Sequence, residues 1–228
     1  MHHTPHTVSD VMTHAVVSVS PEAGFKEIVD TMERWNVSAL PVLGNDGRVI
    51  GIVSEADLLP KEEFRDADPG RVEQMRRLDD LRKAGAVTAA EVMTAPAVTV
   101  QEDATLAQAA RAMARKTLKR LPVVDSSGRL DGIVSRCDLL KVFLRSDEDL
   151  AEEVREDVID HLFLVSRENV RVTVVNGVVT LSGQIHDTAL VPLAARLTRA
   201  VEGVVDVECA LVGPGIGPVE PPLTRPQL

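Results

Sequence analysis

The sequence predicts an α/β protein: two β-α-β-β-α repeats followed by a small α-β-β-α-β module. Three observations carry that expectation. One motif returns at a fixed interval, strand-like and helix-like periodicities alternate in the same order within each copy, and a third segment holds its own hairpin signal.

The repeat comes first because it organises everything else. DVMTHAVVSVSPEA from Asp10 to Ala23 returns as EVMTAPAVTVQEDA from Glu91 to Ala104, with Met12 on Met93 at an offset of 81. Carried on without a gap, the offset sets Leu40-Pro41-Val42 on Leu121-Pro122-Val123 and GIVSEADLL from Gly51 on GIVSRCDLL from Gly132. Each copy opens with an extended run, Val16 to Val19 or Val98 to Val100. A helix follows, with apolar residues at Phe25, Ile28, Val29 and Met32, or at Leu106, Ala109, Ala110 and Met113. Next come an LPVL or LPVV strand, a turn at Asn45-Asp46-Gly47 or Ser126-Ser127-Gly128, and a second strand that ends at Ser54 or Ser135, where a last helix begins. These patterns set the repeats at residues 7–60 and 88–145.

The charge-rich linker at 61–87 carries Val72, Met75, Leu78 and Leu81 at helical spacing, and its charges read as a solvated face. The third segment, 149–212, begins with an amphipathic helix marked by Leu150, Val154, Val158 and Leu162. Two alternating strands joined by Asn176-Gly177 follow, the strongest short-range hairpin signal. A helix through Leu190, Leu193, Ala194, Leu197 and Val201 stops at Gly203, before a last strand, VVDVECALV. The Pro/Gly-rich stretch 213–228 reads as a disordered tail.

Composition narrows the function. A net charge of −10 repels phosphate backbones and anionic lipid, so neither nucleic acid nor membrane is an expected partner. With one Trp and no Tyr, aliphatic side chains are expected to wall any pocket. Cys137 and Cys209 sit in no zinc or redox spacing and read as small buried hydrophobes in a reducing compartment. There is no leader-like or membrane-spanning run, so a cytoplasmic protein is expected. His2, His3 and His6 lie on a short terminus without further ligands, and no metal site is expected. His14, His161 and His186 are scattered, no P-loop or GxSxG is present, and neither Cys has a base nearby, so an enzyme is not expected. His161 reads as a partly buried structural residue, and Trp35 as a residue that fills a cleft, covers an interface or caps a core.

The twin units, with LPVV and the G-h-V-S-x-x-D-L-L ending, resemble CBS domains, and V-x-V-x-x-G-x-V-x-L-x-G with Gly203-Val204 resembles BON modules. The resemblance implies a pair docked about a pseudo-twofold axis, commonly as a homodimer, with AMP, ADP, ATP or S-adenosylmethionine in clefts between the copies. It also assigns roles: the Ser and Asp of one copy face the start and central strand of the other. One site would join Ser54 and Asp57 to Thr88, Leu118, Lys119 and Arg120, and the other Ser135 and Asp138 to Thr7, Val37, Ser38 and Ala39. The chemistry suits a nucleotide, because a hydroxyl at a helix start can donate to phosphate and a carboxylate three residues on can accept from ribose. The same Ser-x-x-Asp spacing is also that of a capping box. Lys119 and Arg120 read either as phosphate ligands or as solvated charges at a helix end. Of the two sites, the one with Lys119 and Arg120 is expected to prefer phosphorylated ligands. The expected function is therefore an adenosyl-ligand sensor that signals through the BON module or a partner. The alternatives are a structural or interaction protein that binds no ligand, and a membrane-associated BON protein.

Overall fold

The computed structural model describes residues 6–65 and 77–214, so His2, His3, Val72, Met75 and all of the tail beyond Pro214 lie outside the described residues. The described chain divides into two compact units, residues 6–139 and 140–214.

In the first unit both copies fold alike. The helices Phe25–Trp35 and Leu106–Lys116 each end on a left-handed residue, Asn36 at φ 50° and Thr117 at φ 56°. Ile28 and Met32 are buried from the first, Leu106, Ala109 and Met113 from the second. Strands β1 (Ala39–Leu43) and β2 (Val49–Ser54) form an antiparallel hairpin. In the second copy, β3 (Val100–Gln101) runs parallel to β4 (Arg120–Val124), which pairs with β5 (Leu130–Ser135). The opening extended runs make little sheet: the first contributes only a parallel bridge, Val19 to Val42, and the second only the two residues of β3.

Cross-repeat hydrogen bonds obey the offset of the sequence repeat. Thr13 exchanges two backbone bonds with Ile133 (2.9 and 3.0 Å), and Thr94 does the same with Ile52 (2.9 and 3.1 Å). Thr7 bridges Thr105 as Gly24 bridges Thr88, and Arg48 bridges Arg129 between the two hairpin turns. The copies are thus related by a pseudo-twofold axis, and each sends its leading segment across to the other. Ala89 and Val92, at the start of the second copy, are fully buried in the core made by Ile28, Leu40, Val42 and Val53 of the first.

That exchange explains two glycines. A Cβ on Gly132 would lie 2.5 Å from the Met12 sulfur, and one on Gly51 would lie 2.9 Å from Cγ of Met93. Each leading methionine therefore lies flat on the opposite hairpin, where only glycine leaves room.

In the linker, the helix Leu78–Gly85 buries no residue completely, and Leu78 is 64% exposed. Its charges are nevertheless anchored: Arg82 donates to the Glu91 carbonyl at 2.7 Å, and Lys61 to that of Ala84 at 3.0 Å. The linker is thus not simply a solvated face. The single residue that corrects that reading most, Lys83, belongs to the candidate site.

The second unit is built on β6 (Val170–Val175), β7 (Val178–Gln184) and β8 (Asp206–Val212), in the order β6-β7-β8, with β8 parallel to β7. Asn176 (φ 51°) and Gly177 (φ 75°) form the expected tight turn, and the Asp147 carboxylate receives both of their N–H groups at 2.8 Å. The first helix, Asp147–Glu153, loosens into a π-helical turn at Val154–Ile159, with Leu150, Val154, Val158 and Ile159 buried. Leu140–Leu144 packs within this unit, where Arg145 pairs with Glu153 at 2.5 Å and donates to the Glu202 carbonyl at 2.9 Å. Cys137 and Cys209 are both exposed, against the reading of buried hydrophobes. His161 is likewise exposed, its Nδ1 2.8 Å from the Glu156 carbonyl, and not partly buried. No helix among the described residues is long and apolar enough to cross a membrane.

Candidate functional site

The two Ser-x-x-Asp corners sit where β2 and β5 pass into one-turn helices, Glu55–Leu58 and Arg136–Leu139. Both carboxylates fold back on their own serines. Asp57 Oδ2 accepts from the Ser54 backbone at 2.8 Å and from its hydroxyl at 2.6 Å, and Asp138 does so from Ser135 at 2.9 and 2.6 Å. The capping-box reading therefore holds at both corners. The first helical N–H of each corner is also occupied: Glu55 donates to the Ser38 carbonyl at 3.1 Å and Arg136 to that of Lys119 at 3.0 Å. These bonds tie each corner to the start of its central strand.

A cavity opens beside each corner. The first, of about 320 Å³, is lined by Ser54, Asp57, Leu118, Lys119 and Arg120, together with Ser38, Ala39, Glu55 and Thr94. The second, of about 330 Å³, is lined by Ser135, Asp138, Val37 and Ala39, together with Thr13, Trp35, Ile133 and Arg120. Each cavity thus brings one copy's corner together with strand residues of the other, at the lower end of the size range of small-molecule sites.

Several residues fall elsewhere than the sequence placed them. Thr88 and Thr7 line neither cavity. Thr88 caps the helix Ala89–Val92, where the Glu91 carboxylate accepts its N–H at 3.1 Å and that of Val87 at 2.7 Å. Those bonds hold the Glu91 carboxyl below the usual carboxylate range. Thr7 likewise bonds Asp10 through its N–H (2.6 Å) and its hydroxyl (3.1 Å). In their place the leading segments bring Thr94 and Thr13, six residues further on in each copy, to the cavities. Their signal in the sequence is the shared VMT, whose methionine packs across on the opposite hairpin. Ser38, grouped with the second site from the sequence, lines the first cavity, whereas Ala39 and Arg120 line both.

The electrostatics of the two cavities differ. Asp57 is buried, and its Oδ1 receives the Lys83 ammonium and, at 3.1 Å, the Thr94 hydroxyl. Lys83 also reaches Thr94 Oγ1 at 3.3 Å. Four donors therefore converge on one carboxylate. Lys119 and Arg120 form no ion pair with any described residue, while Glu55 brings a negative charge to the same cavity. At the second corner, the Arg136 side chain turns away to the Leu118 carbonyl at 2.8 Å. Trp35 brings an indole to the second cavity, which corrects the expectation of purely aliphatic walls. Among the described residues, no group of three or more His, Cys, Asp or Glu side chains converges as a metal centre.

Comparison with known proteins agrees with this architecture. The family model of the CBS domain matches residues 8–61 and 89–145, and that of the BON domain matches residues 146–213. An uncharacterized protein of Methanocaldococcus jannaschii is 28% identical over 155 residues, which span 60% of this chain and 90% of that protein. The inosine-5'-monophosphate dehydrogenase of the same organism is 29% identical over 132 residues, 58% of this chain but only 22% of that enzyme. The crystal structure of CBSX2 of Arabidopsis thaliana in complex with AMP superposes with a TM-score of 0.54 at 27% identity, covering 61% of this chain and 97% of that one. The chain thus carries a tandem pair of CBS domains followed by a BON domain.

Proposed function

We propose that the CBS pair is a regulatory module that binds an adenosyl ligand, AMP, ADP, ATP or S-adenosylmethionine, between its repeats, and that the BON domain or a partner protein responds. The observation that carries this reading is the duplicated cavity. Each cavity joins a hydroxyl-and-carboxylate corner of one copy to the central strand of the other, and Lys119 and Arg120 stand at the first in no ion pair with any described residue. The likeness to CBSX2, solved with AMP, supports the same ligand class. A molecule bound across the copies bears on the bridges Thr13–Ile133 and Ile52–Thr94, so occupancy changes how firmly the copies hold together.

The test is calorimetry and thermal melting of the full chain with each of the four ligands. A ligand at 100 times its Kd is expected to stabilise the chain by about 2.7 kcal/mol. Arg120→Ala should weaken ATP, because a guanidinium engages phosphate through paired hydrogen bonds. Arg136→Ala should change it little, since that side chain is already bonded to Leu118. Absence of heat and of any melting shift at millimolar ligand overturns the proposal.

We also propose that the pair acts as a homodimer. Of Phe25, Met32, Met113 and Leu144, the contacts expected from the sequence, Met32 and Met113 are 6% and 2% exposed and belong to the core, whereas Leu144 is exposed and Phe25 lines a groove. A groove of about 710 Å³ along the helix Phe25–Trp35 supports the assembly instead, with Val29 and the 64% exposed Leu59 among its lining. Light scattering at high micromolar concentration should give twice the chain mass, and a monomer mass overturns this part.

A further inference from the structure

The two cavities are related by the pseudo-twofold axis, yet their rims are chemically different. Trp35 ends its helix and is one of the residues lining the cavity that holds Ser135 and Asp138. It is 58% exposed, a large apolar ring left partly in water. Its backbone is fixed by the left-handed cap that follows, where Asn36 and Val37 donate to the Glu33 and Met32 carbonyls at 3.2 and 3.0 Å. At the offset of the repeat, the residue equivalent to Trp35 is Lys116, so the other cavity has no aromatic counterpart; Lys119 borders that cavity alone, whereas Arg120 borders both.

We propose that Trp35 is the stacking platform for a planar heteroaromatic base, which makes the Ser135/Asp138 cavity the nucleoside-specific one of the two. This rests on the adenosyl-ligand reading above and assigns the base within it. Trp35 lines this cavity together with Val37 and Ala39; an indole offers a base a wide apolar contact, and stacking of this kind accepts any base with a π face. Discrimination between a nucleotide and a plain sugar phosphate would then come from Trp35, not from Lys119 at the first cavity or from Arg120, which borders both.

Trp35 is the single Trp of the chain and there is no Tyr, so intrinsic emission reports this position alone. The experiment titrates the intact protein with AMP and, separately, with ribose 5-phosphate, following emission and calorimetric heat in parallel. AMP is expected to quench Trp35 saturably with the calorimetric Kd, whereas ribose 5-phosphate should leave the emission unchanged. Trp35→Leu should weaken AMP roughly tenfold, the loss of one base–aromatic stack, and Trp35→Phe should recover part of it. Asp138→Asn should remove the quench, and Lys119→Ala, at the other cavity, should preserve it. Calorimetric AMP binding with unchanged emission, and with Trp35→Leu titrating as the parent, overturns this inference and leaves the adenosyl reading standing. Absence of AMP heat in the parent protein overturns both.

Discussion

Gly183→Ala is expected to unfold the BON domain while leaving the CBS pair folded. Gly183 lies in β7 at φ 130°, a conformation that side chains rarely adopt, and pairs with Val170 across the hairpin. A Cβ there would fall inside the Asn169 carbonyl oxygen and 3.0 Å from its carbon. The obstacle is backbone, at the end of the short turn Arg167–Asn169 that delivers the chain into β6, so no rotamer change relieves it. Backbone strain at such a position costs about 1–3 kcal/mol by itself. With the overlap added, the loss should exceed about 4 kcal/mol. For a unit of this size that lowers the melting temperature by roughly 15 °C or more. Scanning calorimetry of the full chain checks it: the transition of residues 140–214 should drop or vanish while that of residues 6–139 stays in place. A variant melting within a few degrees of the parent would show that the β6–β7 crossing is looser than described.

Asp57→Ala should cost the CBS pair about 3 kcal/mol, because it strands the Lys83 ammonium in a largely buried place and releases Thr94 and the Ser54 cap together. The side chains of Lys83 and Asp57 are 15% and 10% exposed, so solvent replaces little of what is lost. Lys83→Met should be much milder, since Asp57 keeps Ser54 and Thr94. The double variant Asp57→Ala/Lys83→Met should regain much of the first loss, and urea denaturation of all four proteins gives the coupling directly. Additive losses would mean that the pair contributes nothing as a pair. The result bears on function too, because a carboxylate that holds Lys83 so firmly receives ribose hydroxyls only by giving up existing bonds.

The repeats were legible because their signals are local. Met12 on Met93, the LPV strands, Gly47 and Gly128 in their turns and the Asn176-Gly177 hairpin each follow from a few neighbouring residues, and the offset of 81 carried one reading onto the other. The corner chemistry was legible for the same reason, since Ser-x-x-Asp spans a single helical turn. Trp35 and Lys83 gave no comparable signal. One was a residue of unassigned purpose at a helix end, the other one charge among many in the linker.

The sequence by itself determined the order and type of the elements and the register of the two copies, because strand and helix periodicity state which face of an element is buried, while the resemblance of its motifs pointed to the CBS pair and BON domain. Only the tertiary structure decided what covers that face. It sent residues 7–13 and 88–94 across to the opposite copy, brought Thr13 and Thr94 to the cavities in place of Thr7 and Thr88, set Lys83 on Asp57 and placed Trp35 at the cavity that Asp138 lines. The physical reason is that an apolar stripe or a single charge is satisfied by any partner of the right shape and sign. Which partner it meets is fixed only when glycines such as Gly51 and Gly132 admit one methionine, and the backbone bonds beside them admit one register.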